Sequence, residues 1–277
     1  MKLALLHPGQ MGVTVGIAAQ DSGHSVSWLT AGRSDETVER ASNAGFDSCK
    51  TLFDLLAPSE GVICVCPPDA AITVARSVVA TGFDGIYLDA NAVAPRTARQ
   101  IHALVGDGYV DGGIVGPPAV REGSTRLYLS GPHATTAASW FAGGLLGAIT
   151  IEGAPGAASA LKMCYAAYTK GTSALLLAIR ALAESEGVTA PLLDEWAISQ
   201  QGLADRSAHA AIGTAPKAWR FAPEMEEIAA TFAAADLPDG FHKGAADIYR
   251  RMADLKDVKS PSLADVLDRL NAKRRED

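Results

Sequence analysis

The sequence has few cysteines and no long uninterrupted apolar segment. Its four cysteines, in a chain of 277 residues, include no C-x-x-C pair, which argues against a disulfide framework and favours reduced thiols. No apolar run reaches the length of a membrane-spanning helix, and the N-terminus lacks the apolar core of a signal peptide. We therefore expect a cytoplasmic protein with no membrane partner.

Basic residues are also scarce relative to acidic ones. Lys and Arg together number 24 against 31 Asp and Glu, which gives a net charge of −7. No basic run is interleaved with aromatic residues, as it would be in a nucleic-acid groove. The six histidines show no metal-ligand spacing. We therefore predict no nucleic-acid partner and no metal site.

The most informative feature that is present lies at the N-terminus. The apolar run Lys2–Leu6 stops at a glycine-containing turn, and a helix of small residues follows. In the dinucleotide fingerprint G-x-G-x-x-G, the first glycine allows the tight turn, the second admits the pyrophosphate and the third lets the helix pack on the strand. Gly9 and Gly12 hold the second and third positions, whereas His7 holds the first. We interpret His7 as a turn residue rather than a catalyst.

A diphosphate can still bind the free N–H groups at the start of this helix, aided by the helix dipole. Pro8 offers no N–H group, so the donors must come from Gly9 onward. We therefore predict that the turn residues bind the cofactor, namely Gly9, Gln10, Met11 and Gly12. The alternative is a strand–helix turn whose glycines serve packing only.

The end of the second predicted strand distinguishes NADP from NAD. An NAD enzyme usually has an acidic residue there for the ribose 2′-OH, whereas this chain has Thr30 and Ala31, followed by Arg33 and Ser34. An arginine can bind a 2′-phosphate, and a hydroxyl can add a hydrogen bond. We predict NADP(H) as the cofactor, with Arg33 and Ser34 as ligands. Ser34 is also suited to cap the next helix, and Arg33 could be an ordinary surface arginine.

The two halves of the chain differ in organisation. The predicted strands are Lys2–Leu6, Ser25–Leu29, Gly61–Cys66, Gly85–Asp89, Tyr109–Asp111 and Arg126–Ser130. Because helical segments separate most of them, we predict a doubly wound, mostly parallel α/β sheet of the Rossmann type. From Ala157 onward strands are absent, and a long helix is predicted over Ala157–Glu186. We predict a Rossmann domain at 1–153 and an all-helical substrate and dimerisation domain at 154–277, with the boundary at a turn cluster around Gly153.

Lys162 interrupts the apolar beginning of the long helix. At helical spacing it shares a face with Tyr165, Ala166 and Thr169. Hydride transfer to a carbonyl creates an alkoxide that needs a proton, and a lysine partly buried in an apolar cleft has its pKa lowered towards the operating pH. We predict that Lys162 is the general acid or base and that Tyr165 lines the substrate pocket. The alternative is a lysine that extends to solvent along an amphipathic helix.

Taken in order, these motifs resemble the β-hydroxyacid dehydrogenase and 6-phosphogluconate dehydrogenase superfamily. Within it, they resemble the branch of NAD(P)-dependent oxidoreductases with a phosphogluconate-dehydrogenase-like C-terminal domain. The resemblance covers nearly the whole chain, in the segments Gly9–Gly12, Ala31–Ser34, Cys64–Pro68, Asp89–Pro95, Asp111–Pro118, Gly156–Lys162 and Trp219–Pro238.

The resemblance implies roles for particular residues. Lys162 corresponds to the catalytic lysine, and Cys66, Pro67 and Asn91 correspond to residues that approach the nicotinamide and its ribose. Asn91 and the loop around Gly113, Val115 and Gly116 correspond to residues that position the substrate. The resemblance also implies a homodimer.

The chain departs from the superfamily at three substrate positions. The serine of the substrate loop is replaced by Val115, and the asparagine four residues after the lysine is replaced by Ala166. A later helical lysine that faces the substrate carboxylate maps to Glu226. Because a carboxylate beside Glu226 would be repelled, we expect a substrate that is bulkier or less acidic than a short hydroxyacid, or an imine or amine.

These observations predict an NADPH-dependent oxidoreductase. A hydride would pass to or from a carbonyl or hydroxy substrate bound between the domains, with Lys162 as general acid or base. An imine reductase on the same scaffold is one alternative, although such enzymes usually replace the lysine. A non-catalytic NADP-binding sensor or interaction protein is another.

Overall fold

The computed structural model describes residues 1–258 and 260–272. The chain divides into two compact units, Met1–Met163 and Cys164–Asp277, which we call the sheet unit and the helical unit. The division falls inside a long helix, whereas the sequence predicted a boundary at the turn before it. Among the described residues, no helix combines the length and the apolar character needed to cross a bilayer.

The sheet unit alternates strands and helices. Its strands are β1 (Lys2–Leu6), β2 (Ser25–Leu29), β3 (Asp47–Cys49), β4 (Gly61–Cys64), β5 (Ile86–Asp89), β6 (Tyr109–Val115), β7 (Thr125–Ser130) and β8 (Leu146–Thr150). Its helices are α1 (Gln10–Asp21), α2 (Asp35–Asn43), α3 (Leu52–Leu56), α4 (Ala71–Val79), α5 (Pro95–Val105), α6 (Ala134–Ser139) and the beginning of α7 (Ala157–Ser185).

The strands form one sheet in the order β3-β2-β1-β4-β5-β6-β7-β8. Each neighbouring pair is parallel except β6 with β7, which is antiparallel. This confirms the predicted doubly wound, mostly parallel sheet. β6 is longer than predicted and runs to Val115, so Gly113 and Val115 are strand residues rather than loop residues.

Helices cover both faces of the sheet, which explains why its central strands are apolar along their whole length. Leu5 and Ile63 belong to one core layer, and Leu6 and Val62 belong to the layer on the opposite face. The strand order changes direction between β1 and β4, and the carboxyl ends of β1, β2, β4, β5 and β6 lie at one edge. In open α/β sheets, ligands bind at that edge, near the change of direction.

The helical unit contains the rest of α7 together with α8 (Thr189–Ser199), α9 (Leu203–Thr214), α10 (Ala218–Ala233), α11 (Gly240–Arg251) and α12 (Leu263–Asn271). A largely buried ion pair between Lys170 and Glu224 joins α7 to α10. Tyr249 of α11 donates a hydrogen bond to the Lys170 carbonyl oxygen at 2.8 Å. The described part of this unit holds no strand, in agreement with the all-helical prediction.

Candidate active site

The turn between β1 and α1 matches the fingerprint in two of its three positions. A Cβ atom on Gly9 would meet no heavy atom within 4 Å, which leaves room for a ligand to approach the backbone. A Cβ atom on Gly12 would collide with the His7 carbonyl oxygen, so glycine is needed there for the helix to pack on the turn. His7 adopts a φ of 71°, the left-handed conformation that glycine would take most easily.

The N-terminus of α1 has the properties of an anion-binding site. Among the described residues no side chain caps it, and its first turn contains no acidic residue. The first N–H groups of a helix lack intrahelical partners and carry partial positive charge. Gln10 is exposed and Met11 is partly buried in this turn. Binding of a cofactor diphosphate by these residues stays a prediction.

Arg33 lies just beyond the carboxyl end of β2. It lines a cavity of about 180 Å³ together with His7 and Leu29. Burial lowers the pKa of Arg33 from its ordinary value, but a guanidinium stays charged at neutral pH. Its Nε is buried and has no hydrogen-bond partner in the part of the chain that the structure describes. A contact between the Arg33 guanidinium and a 2′-phosphate stays a prediction.

Ser34 caps the N-terminus of α2. Its Oγ accepts a hydrogen bond from the Thr37 N–H at 3.4 Å and lies 3.1 Å from the Thr37 hydroxyl. Because the Ser34 side chain is accessible to solvent, its hydroxyl can contact a ligand while it caps the helix. A hydrogen bond from Ser34 to a cofactor stays a prediction.

Asn91 joins the loops that follow β4 and β5. Its Oδ1 accepts a hydrogen bond from the Cys66 N–H at 2.5 Å, and its Nδ2 donates to the Cys64 sulfur at 3.4 Å. Its own N–H donates to Asp89 at 3.0 Å. Asn91 is only 2% exposed, so its amide holds the segment that carries Cys66 and the exposed Pro67. Direct contact of these three residues with a cofactor or substrate stays a prediction.

His7, Cys64 and Cys66 form a cluster that the sequence analysis did not anticipate. The two sulfur atoms lie 3.7 Å apart, and one ligand atom from each of the three residues lies within 4.8 Å of the others. The hydrogen bond between the two thiols lowers the pKa of Cys64 and raises the pKa of Cys66, which burial raises further. Alternation along a strand places residues i and i+2 on one side, which is the signal that could have revealed the cysteine pair. His7 joins it only because β1 pairs with β4.

Lys162 lies on α7 where this helix packs against β6. A Cβ atom on Gly113 would stand 2.9 Å from the Lys162 Cβ and 2.7 Å from the Ala158 carbonyl oxygen. Glycine at this position therefore allows the helix to approach the strand. Gly113 lies beyond the last β6 residue that pairs with β5, so Lys162 is at the same sheet edge as the α1 turn and Arg33. Its side chain is partly buried.

Asp111 anchors the beginning of α7, a role that the sequence analysis missed. This buried carboxylate accepts hydrogen bonds from the N–H groups of Gly156 (2.8 Å) and Ser159 (3.0 Å). It also accepts from the hydroxyls of Ser159 (2.5 Å) and Ser130 (3.0 Å). Negative charge at a helix N-terminus is favourable. The three hydrogen bonds from Gly156 and Ser159 set the position of the helix that carries Lys162.

Comparison with known proteins finds a family match over part of the chain and a shared fold over nearly all of it. Residues 183–252 match the family described as "Domain of unknown function (DUF1932)". An uncharacterized 28.5 kDa protein in the 7S RNA 5′ region of Methanothermus fervidus is 29% identical over 196 residues, which are 70% of this chain and 75% of that protein.

Solved structures match almost the whole chain. A conserved protein of unknown function, described as structurally similar to 3-hydroxyacid dehydrogenases, is 25% identical, with a TM-score of 0.67 over 92% of this chain and 98% of that one. Mycobacterium tuberculosis 3-hydroxyisobutyrate dehydrogenase with L-serine is 19% identical, with a TM-score of 0.71 over 98% and 99%. An Aspergillus terreus reductive aminase in complex with NADPH4, cyclohexanone and allyl amine is 17% identical, with a TM-score of 0.57 over 97% and 99%.

The chain has the 3-hydroxyacid dehydrogenase fold. This confirms the resemblance inferred from the sequence motifs. The neighbours with a named activity are dehydrogenases, reductases or aminases by their descriptions, which agrees with the enzyme class predicted from the sequence.

The predicted substrate residues of the sheet unit are either buried in β6 or needed for the backbone conformation after it. Gly113 and Val115 are buried in β6. Gly116 directly follows β6 with a φ of 122°, and a Cβ atom there would collide with the Ser124 carbonyl oxygen. Gly116 is therefore needed for the backbone conformation of the loop. Roles of these residues towards a substrate stay predictions.

The predicted substrate residues of the helical unit are exposed. Tyr165 lies on α7, and Glu226 lies on α10. Glu226 forms an ion pair with Arg250, which also pairs with Asp247 at 2.6 Å. The expectation that Glu226 repels a substrate carboxylate considered this residue alone, and the neighbouring guanidinium weakens that argument because it offsets the negative charge.

Proposed function

We propose that the protein is an NADPH-dependent oxidoreductase that transfers a hydride to or from a carbonyl or hydroxy carbon, with Lys162 as general acid or base. The observation that carries the proposal is the convergence of three features at one sheet edge. These are the uncapped N-terminus of α1, the buried unpaired Nε of Arg33 and Lys162 beside β6. The dehydrogenase and reductase descriptions of the structural neighbours support the same class of reaction.

The cofactor would be held by the residues of the α1 turn and by Arg33. The N–H groups from Gly9 to Gly12 would bind the diphosphate, and Gly9 leaves space for its approach. Arg33 would bind the 2′-phosphate through its guanidinium, which lines a cavity beyond the end of β2. Asn91 would position the Cys66–Pro67 segment beside the nicotinamide through its hydrogen bond to the Cys66 N–H.

The nicotinamide supplies or accepts the hydride when bound. The chain itself must move the proton. In the reducing direction the Lys162 ammonium donates a proton to the carbonyl oxygen, and in the oxidising direction the neutral amine accepts the hydroxyl proton. Asp111 supports this step by holding the first turn of α7, and Gly113 sets how closely that helix approaches the strand.

The experiment that tests the proposal begins with cofactor binding. Calorimetric titration with NADPH and NADH should show that Arg33→Ala weakens NADPH binding roughly ten- to hundredfold, the effect of losing a hydrogen bond to a charged group. NADH binding should be unchanged. Arg40→Ala is the control, because Arg40 lies on α2 and pairs with Glu36. Equal losses for both cofactors would contradict the 2′-phosphate assignment.

Turnover tests the role of Lys162. Across a panel of ketones, aldehydes and hydroxyacids, Lys162→Met should lower kcat by about 10²–10⁴ while NADPH affinity stays the same. Lys217→Met, at an exposed lysine, is the matched control and should leave kcat unchanged. NADPH binding without turnover of any substrate in the wild-type protein would favour the non-catalytic sensor instead.

An imine reductase is the second candidate. It is supported by the apolar side chains at Val115 and Ala166, both buried, where the dehydrogenases that the sequence resembles have polar ones. Imine reductases with this fold, such as that of Streptomyces aurantiacus, also support it. Reduction of cyclic imines that survives Lys162→Met would favour this candidate over the carbonyl chemistry.

A further inference from the structure

The cluster of His7, Cys64 and Cys66 brings two thiols and an imidazole together at the ends of β1 and β4. Cys64 is buried, and Cys66 is partly buried. One ligand atom from each residue lies within 4.8 Å of the other two. Thiolate sulfur and imidazole nitrogen are the ligands that zinc and related soft cations prefer in proteins.

The spacing of the sulfurs matches tetrahedral coordination. With metal–sulfur bonds of about 2.3 Å, two sulfurs at the tetrahedral angle stand about 3.8 Å apart. Cys64 and Cys66 already hold their sulfurs 3.7 Å apart. A disulfide would need about 2.05 Å, so the two thiols are joined by a hydrogen bond and not by a covalent bond. The same spacing lets both sulfurs bind one cation without moving apart.

The backbone of His7 gives independent support. His7 has a φ of 71°, at the position where the dinucleotide fingerprint uses glycine. A side chain in this conformation costs free energy that glycine would avoid. The Nδ1 of His7 is buried and has no hydrogen-bond partner among the described residues. The imidazole also hydrogen-bonds the Cys64 thiol, so the strained backbone of His7 holds a nitrogen donor beside the cysteine pair.

Asn91 holds the two cysteines in place, and the nearby guanidinium of Arg33 is compatible with a complex that carries no net charge. Asn91 accepts a hydrogen bond from the Cys66 N–H at 2.5 Å and donates one to the Cys64 sulfur at 3.4 Å. Such outer contacts orient metal ligands. A divalent cation with two thiolates and a neutral imidazole carries no net charge, so it would not repel Arg33, which lines the same cavity as His7.

We propose that His7, Cys64 and Cys66 bind a thiophilic divalent cation of the zinc class, with a fourth position left for an exogenous ligand. Binding converts two thiols to thiolates and releases two protons for each cation bound. The ligands do not include Lys162, but the site adjoins the proposed cofactor site, because Cys66 is a predicted cofactor residue and His7 lines the same cavity as Arg33.

The test uses the full chain, reduced and freed of metal. Zn²⁺ alone is titrated in competition with a chromophoric chelator, and Co²⁺ alone is titrated to record sulfur-to-metal charge-transfer bands. We expect one tightly bound equivalent of Zn²⁺, charge-transfer bands with Co²⁺, and a loss of affinity of tenfold or more in Cys66→Ser and in His7→Gly. His7→Gly also removes the strain of the positive φ at this position, so this variant should fold at least as well as the wild type.

The two remaining cysteines provide the matched control. Cys49 is partly buried and Cys164 is exposed, so Cys49→Ser with Cys164→Ser should bind Zn²⁺ as tightly as the wild type. Retained affinity in both Cys66→Ser and His7→Gly, or a Co²⁺ complex without charge-transfer bands, would overturn the proposal. Because neither cofactor nor turnover enters the measurement, this outcome is distinct from a failure of the proposed function.

Discussion

His242 is a titratable group enclosed by aromatic rings in the helical unit. It is 5% exposed, and its ring centroid lies 4.2 Å from that of Phe232 and 5.2 Å from that of Phe241. Burial lowers the pKa of His242 from its ordinary value, and nearby Asp239 opposes the shift only in part. The folded protein therefore favours the neutral imidazole.

This pKa shift predicts a loss of stability in acid. As the pH falls through the ordinary histidine value of about 6.5, the unfolded chain takes up the proton first, so the free energy of unfolding decreases. His242→Phe should reduce the slope of stability against pH by up to one proton, measured by urea denaturation between about pH 7 and pH 5. His209→Phe, at an exposed position on α9, should leave the slope unchanged. Parallel curves for wild type and His242→Phe would contradict the prediction.

Residues with local roles could be predicted, and residues with non-local roles could not. The positions of Gly9, Gly12 and Arg33 follow from a strand–turn–helix pattern within one short segment, and the structure places them as that pattern requires. The cysteine cluster depends on the pairing of β1 with β4, and the role of Asn91 depends on the pairing of β4 with β5. Neither strand pairing can be inferred from the residues of a single segment.

At the scale of elements, the approach of α7 to β6 depends on one glycine. In Gly113→Ala the new Cβ would stand 2.7 Å from the Ala158 carbonyl oxygen and 2.9 Å from the Lys162 Cβ. The helix must therefore shift, at a cost of about 1–3 kcal/mol in the free energy of unfolding. Urea denaturation measures this loss. Since the same shift moves Lys162, kcat should fall while NADPH affinity is retained.

Gly147 offers a matched control for this prediction. It is also a strand residue, on β8, but a Cβ atom there would make ordinary contacts at 3.5 Å with the Thr125 carbonyl oxygen and 3.8 Å with Arg126. Gly147→Ala should change stability by less than about 0.5 kcal/mol. If the two variants lose the same stability, crowding against α7 is not the cause.

The elements that the sequence analysis missed share a physical property. The structure places β1 and β2 at their predicted bounds, and α7 ends one residue before its predicted end. β3 and β8 were not predicted, because they are the edge strands of the sheet and most of their side chains are exposed. An edge strand needs no continuous apolar run.

At the scale of the whole molecule, α7 presents an unusual surface. Within the helical unit, Tyr168, Leu175 and Leu182 are 71%, 45% and 62% exposed. Their spacing of seven residues places them on one face of the helix over four turns. A row of large apolar side chains in water is a feature of association surfaces. We therefore expect a homodimer in which this row is buried against a second copy of the chain.

Light scattering coupled to size-exclusion chromatography would measure the mass directly. At micromolar concentration the wild type should have twice the chain mass of 28.7 kDa. The double variant Leu175→Glu with Leu182→Glu should have the mass of a single chain, because the dimer would bury unpaired carboxylates, which is strongly unfavourable. Phe53→Glu with Val120→Glu, at exposed apolar positions in the sheet unit, introduces the same charge elsewhere and should leave the dimer intact. A monomeric wild type would contradict the expectation, and so would a dimer that tolerates both charges on α7.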